Sequence, residues 1–232
     1  SLVPAISESY ALRKFDDARH NAKLAFKITL LLLLPCAFGL ASLSEPIMGL
    51  LFPKENAQTL GIILFTLAPA CVFLGLLYTF NGILQGMGKP MIPVYALLCG
   101  IVGKIVISYT LTAMPQFNIL GSAFGTVASY LIAAIFEYRY IKKELNIEFD
   151  KMQFFIKPII TVILMFAGVK LTYMGLGMVI SGKLLTMISI MVGGLIYIVV
   201  LLGIGGISKE EILAMPKGDK LFGKLKKLKL VR

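Results

Sequence analysis

The sequence has 232 residues, 58% hydrophobic and 15% charged, with 23 basic against 12 acidic side chains, a net charge of +11 and a mean hydropathy of +0.87. Soluble domains carry about 25% charged residues, so an ordinary soluble globule is excluded, and disorder is excluded because so apolar a chain offsets its ordering entropy by burial. The composition is that of an all-α, polytopic membrane protein whose excess cations belong on cytoplasmic loops, with no nucleic-acid partner.

Residues 1–27 open on Ser1-Leu2-Val3-Pro4 with no initiator Met, basic n-region or cleavage site. No signal peptide is expected there, and the chain reads as the C-terminal part of a longer one. From Ser7 to Lys27 the segment reads as a cytoplasmic amphipathic helix that runs into the first span. A spanning helix needs about 20 mostly apolar residues, because backbone groups in lipid must be satisfied within the helix. Six stretches qualify, 28–52, 60–84, 93–114, 118–141, 158–177 and 184–206, so residues 28–206 form a six-helix transmembrane region. Phe52-Pro53-Lys54, Gly86-Met87-Gly88-Lys89-Pro90 and Met114-Pro115 punctuate them, and Pro158 sits where a first-turn proline belongs. Pro35 and Pro69 lie inside the first and second spans, where each removes a backbone donor and is expected to kink its helix.

Orientation follows from the cations on alternate sides. Arg13, Lys14, Arg19, Lys23 and Lys27 precede the first span; Lys89 follows the second; Arg139, Lys142, Lys143, Lys151 and Lys157 follow the fourth. The tail, residues 207–232, adds Lys209, Lys217, Lys220, Lys224, Lys226, Lys227, Lys229 and Arg232. Only Lys54, Lys170 and Lys183 fall on the other side, so both ends of the chain are expected in the cytoplasm. Leu221, Leu225 and Leu228 recur at helical spacing in that tail. It reads either as a basic amphipathic helix on anionic membrane lipids or as a solvated topogenic flank.

Lys104 is the remaining cation, near the middle of the third span and about 16 Å from either end at 1.5 Å per residue. Its stem reaches only about 6 Å, too short to snorkel out. Gly100 and Ser108, one turn to either side, make a small polar stripe of the kind that lines a cavity. An internal ion pair is the alternative, but Glu45 lies near the outer end of the first span and Glu137 near the inner end of the fourth. In the fourth span Gly121, Gly125 and Ser129, with Ser122 and Thr126 alongside, form a row suited to close helix packing. Tyr78, Asn81 and Gln85 make a polar edge at the inner end of the second span, bordering a vestibule or merely the interface.

No phosphate loop, H-E-x-x-H, nucleophile triad or carboxylate pair occurs, so no catalytic residue and no cofactor is expected. His20 is the single histidine and has no ligand cluster around it, so no metal is expected. Cys36, Cys71 and Cys99 lie in apolar runs and read as small hydrophobes.

Several strings resemble one family. Ser1 to Tyr10, Asp16-Asp17-Ala18-Arg19, Leu34-Pro35 and Glu45 to Phe52 look like the second-lobe segment of polysaccharide and lipid-intermediate flippases. Ile83 to Pro93 resembles the turn between two of their helices, and Leu120 to Thr126 the start of the next. The resemblance is to the stage V sporulation protein B type of the multidrug/oligosaccharidyl-lipid/polysaccharide exporter superfamily. It implies about fourteen helices in two lobes around a cavity, moving lipid-linked saccharide across the bacterial plasma membrane by alternating access. The six spans then correspond to helices nine to fourteen, with the N-terminal lobe of the same protein as partner. The basic cavity residues of relatives match no position here, so Lys104 is a candidate from its depth alone. A multidrug and toxin extrusion type cation antiporter and a membrane scaffold for cell-wall enzymes are the alternatives.

Overall fold

The computed structural model describes residues 2–52, 55–148, 150, 152–178 and 182–208, and these are all helical or connecting. The helices are α1 (Leu2–Ala11), α2 (Phe15–Ser42), α3 (Ser44–Leu51), α4 (Ala57–Gly86), α5 (Met91–Thr112), α6 (Leu120–Leu145), α7 (Lys157–Leu176) and α8 (Lys183–Gly203). A single π-helical turn over Met152–Ile156 leads into α7. By length and apolarity α2, α4, α5, α6, Met152–Leu176 and α8 can each cross a membrane. The basic tail lies outside the described residues beyond Ser208.

The first span differs from expectation at both ends. The expected helix from Ser7 to Lys27 breaks over Leu12–Lys14, so that only its part from Phe15 runs on into the span, and the expected stretch 28–52 divides at Leu43 into α2 and α3. Pro46 explains the break: an uninterrupted helix would drive its ring into the carbonyl of Ser42, four residues earlier. Asn56 starts α4 by accepting hydrogen bonds from the N–H groups of Gln58 and Thr59 at 3.1 and 3.2 Å. The turn from α4 to α5 is closed by Lys89 N–H to Leu84 O, 2.9 Å, and Gly88 N–H to Gln85 O, 3.0 Å. Gly88 takes φ +72° in that turn, which is the reason for glycine there. Asn146, at φ 47°, caps α6 in the left-handed conformation.

α5 packs almost wholly on α6, α6 also on α4, α4 on α2, and α2 on α7, which pairs with α8. Two cores result. One joins α1, α2, α4 and α6 around Phe26, which stacks on Phe80 at 5.6 Å and on Phe154 at 6.1 Å. The other joins α2, α7 and α8 around Leu31, Val162, Met165, Val169 and Tyr197. Because α5 packs almost wholly on α6 among the described residues, Leu98, Ile101, Val102, Ile105 and Tyr109 stay exposed along its far face.

Candidate functional site

The small residues of α5 and α6 meet each other. Gly100 is buried against Ser129, so that a Cβ on it would lie 2.7 Å from the Ser129 carbonyl oxygen. Gly125 faces Ser108 and the Lys104 carbonyl in the same way, and Gly121 faces Thr112. The expected cavity stripe and the expected packing row are thus the two sides of one helix seam. The Ser108 hydroxyl is buried in it with no hydrogen-bond partner. Lys104 sits between Gly100 and Ser108 in sequence, yet its side chain is exposed, and no hydrogen bond or ion pair engages it among the described residues.

Tyr78 is 71% exposed on α4 and Gln85 is exposed one helix end further on, while the Asn81 side-chain oxygen is buried without a partner. α4 scarcely touches α5, and among the described residues no hydrogen bond or ion pair joins Tyr78 or Asn81 to Lys104.

The two internal prolines each border an apolar crevice. Pro35, Cys36, Gly39 and Gly193 line one of about 440 Å³ between α2, α3, α7 and α8. Pro69, Phe38, Phe73 and Phe166 line another of about 480 Å³ between α2, α4 and α7. The helices run through both prolines without interruption. Pro35 has no N–H for the carbonyl of Leu31, four residues earlier. The hydroxyl of Tyr197, from α8, donates to that carbonyl at 2.7 Å. Sequence reasoning missed this partner, whose only sequence signal is a tyrosine in the last span.

A polar network at the end of the bundle was also missed. Lys89 donates to the Tyr140 hydroxyl and to Glu144 Oε1, both at 2.9 Å, and the Tyr10 hydroxyl donates to the same Glu144 oxygen at 3.0 Å. The Tyr140 and Glu144 bonds raise the Lys89 pKa, so its ammonium stays charged. Arg19 Nε donates to the Leu145 carbonyl at 2.9 Å, so both α1 and α2 are tied to the end of α6. The detectable signal was the one-turn spacing of Tyr140 and Glu144 on α6. Glu137, on the same helix, is fully buried and neither carboxylate oxygen has a hydrogen-bond partner. Cys36, Cys71 and Cys99 are free thiols, exposed on the helix surfaces rather than packed in a core. Among the described residues no three His, Cys, Asp or Glu side chains converge as a metal would require.

The described residues therefore form a helical scaffold with apolar crevices and an open mid-depth lysine, and no reactive groups converge among them. The family model for the lipid II flippase MurJ matches residues 1–202. The chain belongs to the lipid II flippase MurJ family. It is 26% identical to the membrane protein YabM of Bacillus subtilis over 229 residues, 95% of this chain and 42% of that protein. It is 28% identical to the membrane protein MJ1068 of Methanocaldococcus jannaschii over 155 residues, 64% of this chain and 29% of that protein. The chain thus spans less than half the length of these curated relatives. A solved structure of lipid II flippase MurJ in an inward closed conformation superposes with a TM-score of 0.69 at 19% identity, covering 86% of this chain and 41% of that one. That likeness establishes the shared fold: a multi-pass, all-helical membrane architecture.

Proposed function

We propose that this chain is the C-terminal part of a bacterial plasma-membrane flippase that translocates a lipid-linked saccharide by alternating access. Within the MurJ family we place it with the stage V sporulation protein B type, on the strings Glu45 to Phe52 and Ile83 to Pro93. The cargo is then a peptidoglycan, spore-cortex or polysaccharide precursor, and the chain is a carrier rather than an enzyme. Lys104 carries the reading: it is an exposed cation at mid-depth of a spanning helix, with no acidic partner among the described residues. A charge at that depth needs water or a counter-ion, and the diphosphate of a lipid-linked sugar supplies one. Lys104 also repels organic cations, which disfavours an antiporter of the multidrug type.

The N-terminal lobe of the same protein closes the cavity over the open face of α5, with Tyr78 and Asn81 at its inner rim. The apolar crevices beside Pro35 and Pro69 suit the hydrocarbon part of such a substrate and give α2 and α4 room to bend. Both ends of the chain are cytoplasmic on the charge asymmetry, and the tail meets anionic lipid there. Lys104→Met in the full-length protein, at unchanged membrane abundance, is expected to reduce translocation of a lipid-linked saccharide in proteoliposomes by at least tenfold. Undiminished translocation would refute the role.

A further inference from the structure

We propose that the outer face of the α5–α6 pair holds an anionic glycerophospholipid, with its phosphate between Arg139 and Lys143 and an acyl chain lying toward mid-membrane. A crevice of about 620 Å³ opens there, walled by Cys99 from α5 and by Ile132, Ile135 and Phe136 from α6. Arg139 and Lys143, one turn apart, stand at its end. Both are exposed, and neither has a hydrogen-bond or ion-pair partner among the described residues. Glu144 is hydrogen-bonded by Lys89 and Tyr10, with Lys143 acting on it only through space, and Glu137 is sealed inside the bundle. Neither cation is closed by an ion pair among the described residues, so both can still take an external anion.

The dimensions select a phospholipid. From Lys143 to Ile132 the crevice runs along 11 residues of helix, about 16 Å at 1.5 Å per residue. One leaflet of hydrocarbon is about 15 Å deep, half of the roughly 30 Å core. A fatty acyl chain fits that length, whereas a polyprenyl carrier far exceeds it. Tyr140, also at the rim, has its hydroxyl fixed by Lys89, as befits an aromatic at the headgroup level. Basic pockets between spanning helices at a cytoplasmic end are suited to anionic headgroups. The crevice stands independently of the transported cargo, and only its assignment to the inner leaflet rests on the orientation proposed above.

The test uses the full-length protein, delipidated in detergent and titrated with phosphatidylglycerol or with phosphatidylcholine of the same chains, with bound lipid read by native mass spectrometry. R139Q/K143Q is expected to weaken phosphatidylglycerol binding about tenfold or more and leave phosphatidylcholine unchanged. C99W, which fills the crevice without altering charge, is expected to weaken both lipids. R139K/K143R is expected to retain phosphatidylglycerol binding, and equal melting temperatures for all variants show that folding is not what changed. Unaltered phosphatidylglycerol affinity in R139Q/K143Q overturns the proposal. So does a loss seen only when the tail lysines Lys217, Lys220 and Lys224 are changed to Gln. Loss of a lipid-linked diphosphate saccharide with phosphatidylglycerol retained also overturns it.

Discussion

At the scale of single residues, the decisive contacts are those that settle polar groups where water is scarce. Tyr197 completes the carbonyl that Pro35 leaves open, and both Leu31 and Tyr197 are buried. Tyr197→Phe keeps the ring but strands that carbonyl, at a cost of about 1–3 kcal/mol. Thermal unfolding of the full-length protein is expected to show it, and Pro35→Ala in the same background is expected to return part of the loss by restoring the N–H. Glu137 presents the opposite situation, a carboxylate enclosed without a donor. Such groups cost more than apolar side chains of similar volume. Glu137→Met is therefore expected to raise the melting midpoint by a few degrees, measured side by side with the parent protein; a lowered midpoint would show that the carboxylate contributes a contact.

At the scale of elements, the α5–α6 pair is the part whose geometry the small residues govern. Gly100, Gly121 and Gly125 bring the two backbones together because α6, or α5, occupies the space a side chain would need. Gly100→Leu is expected to force the helices apart and to lower thermal stability by about 1–3 kcal/mol, the usual scale of overpacking. Gly194→Leu, where no atom lies within 4 Å of the added Cβ, is the control expected to be near neutral. Equal losses for the two would mean that close approach is not what the seam requires. The broken first span belongs to this scale too. The apolar stretches on either side of Ser42-Leu43-Ser44-Glu45 are close enough for hydropathy to read them as one span, while the ring of Pro46 divides them for steric reasons that hydropathy does not register.

At the scale of the whole molecule, an even number of spans and the cation asymmetry support the proposal that both ends of the chain are cytoplasmic. In a background without native cysteines, Glu55→Cys is expected to react with an impermeant maleimide added outside the cell, and Glu148→Cys only after permeabilisation. The reverse pattern would invert the orientation. Much of this level was legible without coordinates. Apolar length and charge asymmetry act along the chain, so the six spans, the turn at Gly88 and the odd position of Lys104 could be read directly from residue order. What could not be read was which faces meet. Gly100 and Ser108 read as a cavity stripe because small polar residues serve water and helix packing equally well, and that they lie against Ser129 and Gly125 of α6 is visible only in three dimensions. Likewise the pairing of Tyr197 with Leu31, of Lys89 with Tyr140 and Glu144, and the crevice under Arg139 each join residues distant in sequence. Local hydrophobicity and charge thus determined which segments enter the membrane, since that transfer depends on each segment's own composition. Tertiary structure decided which side chains are sealed, paired or left open, since that depends on neighbours brought together only by folding.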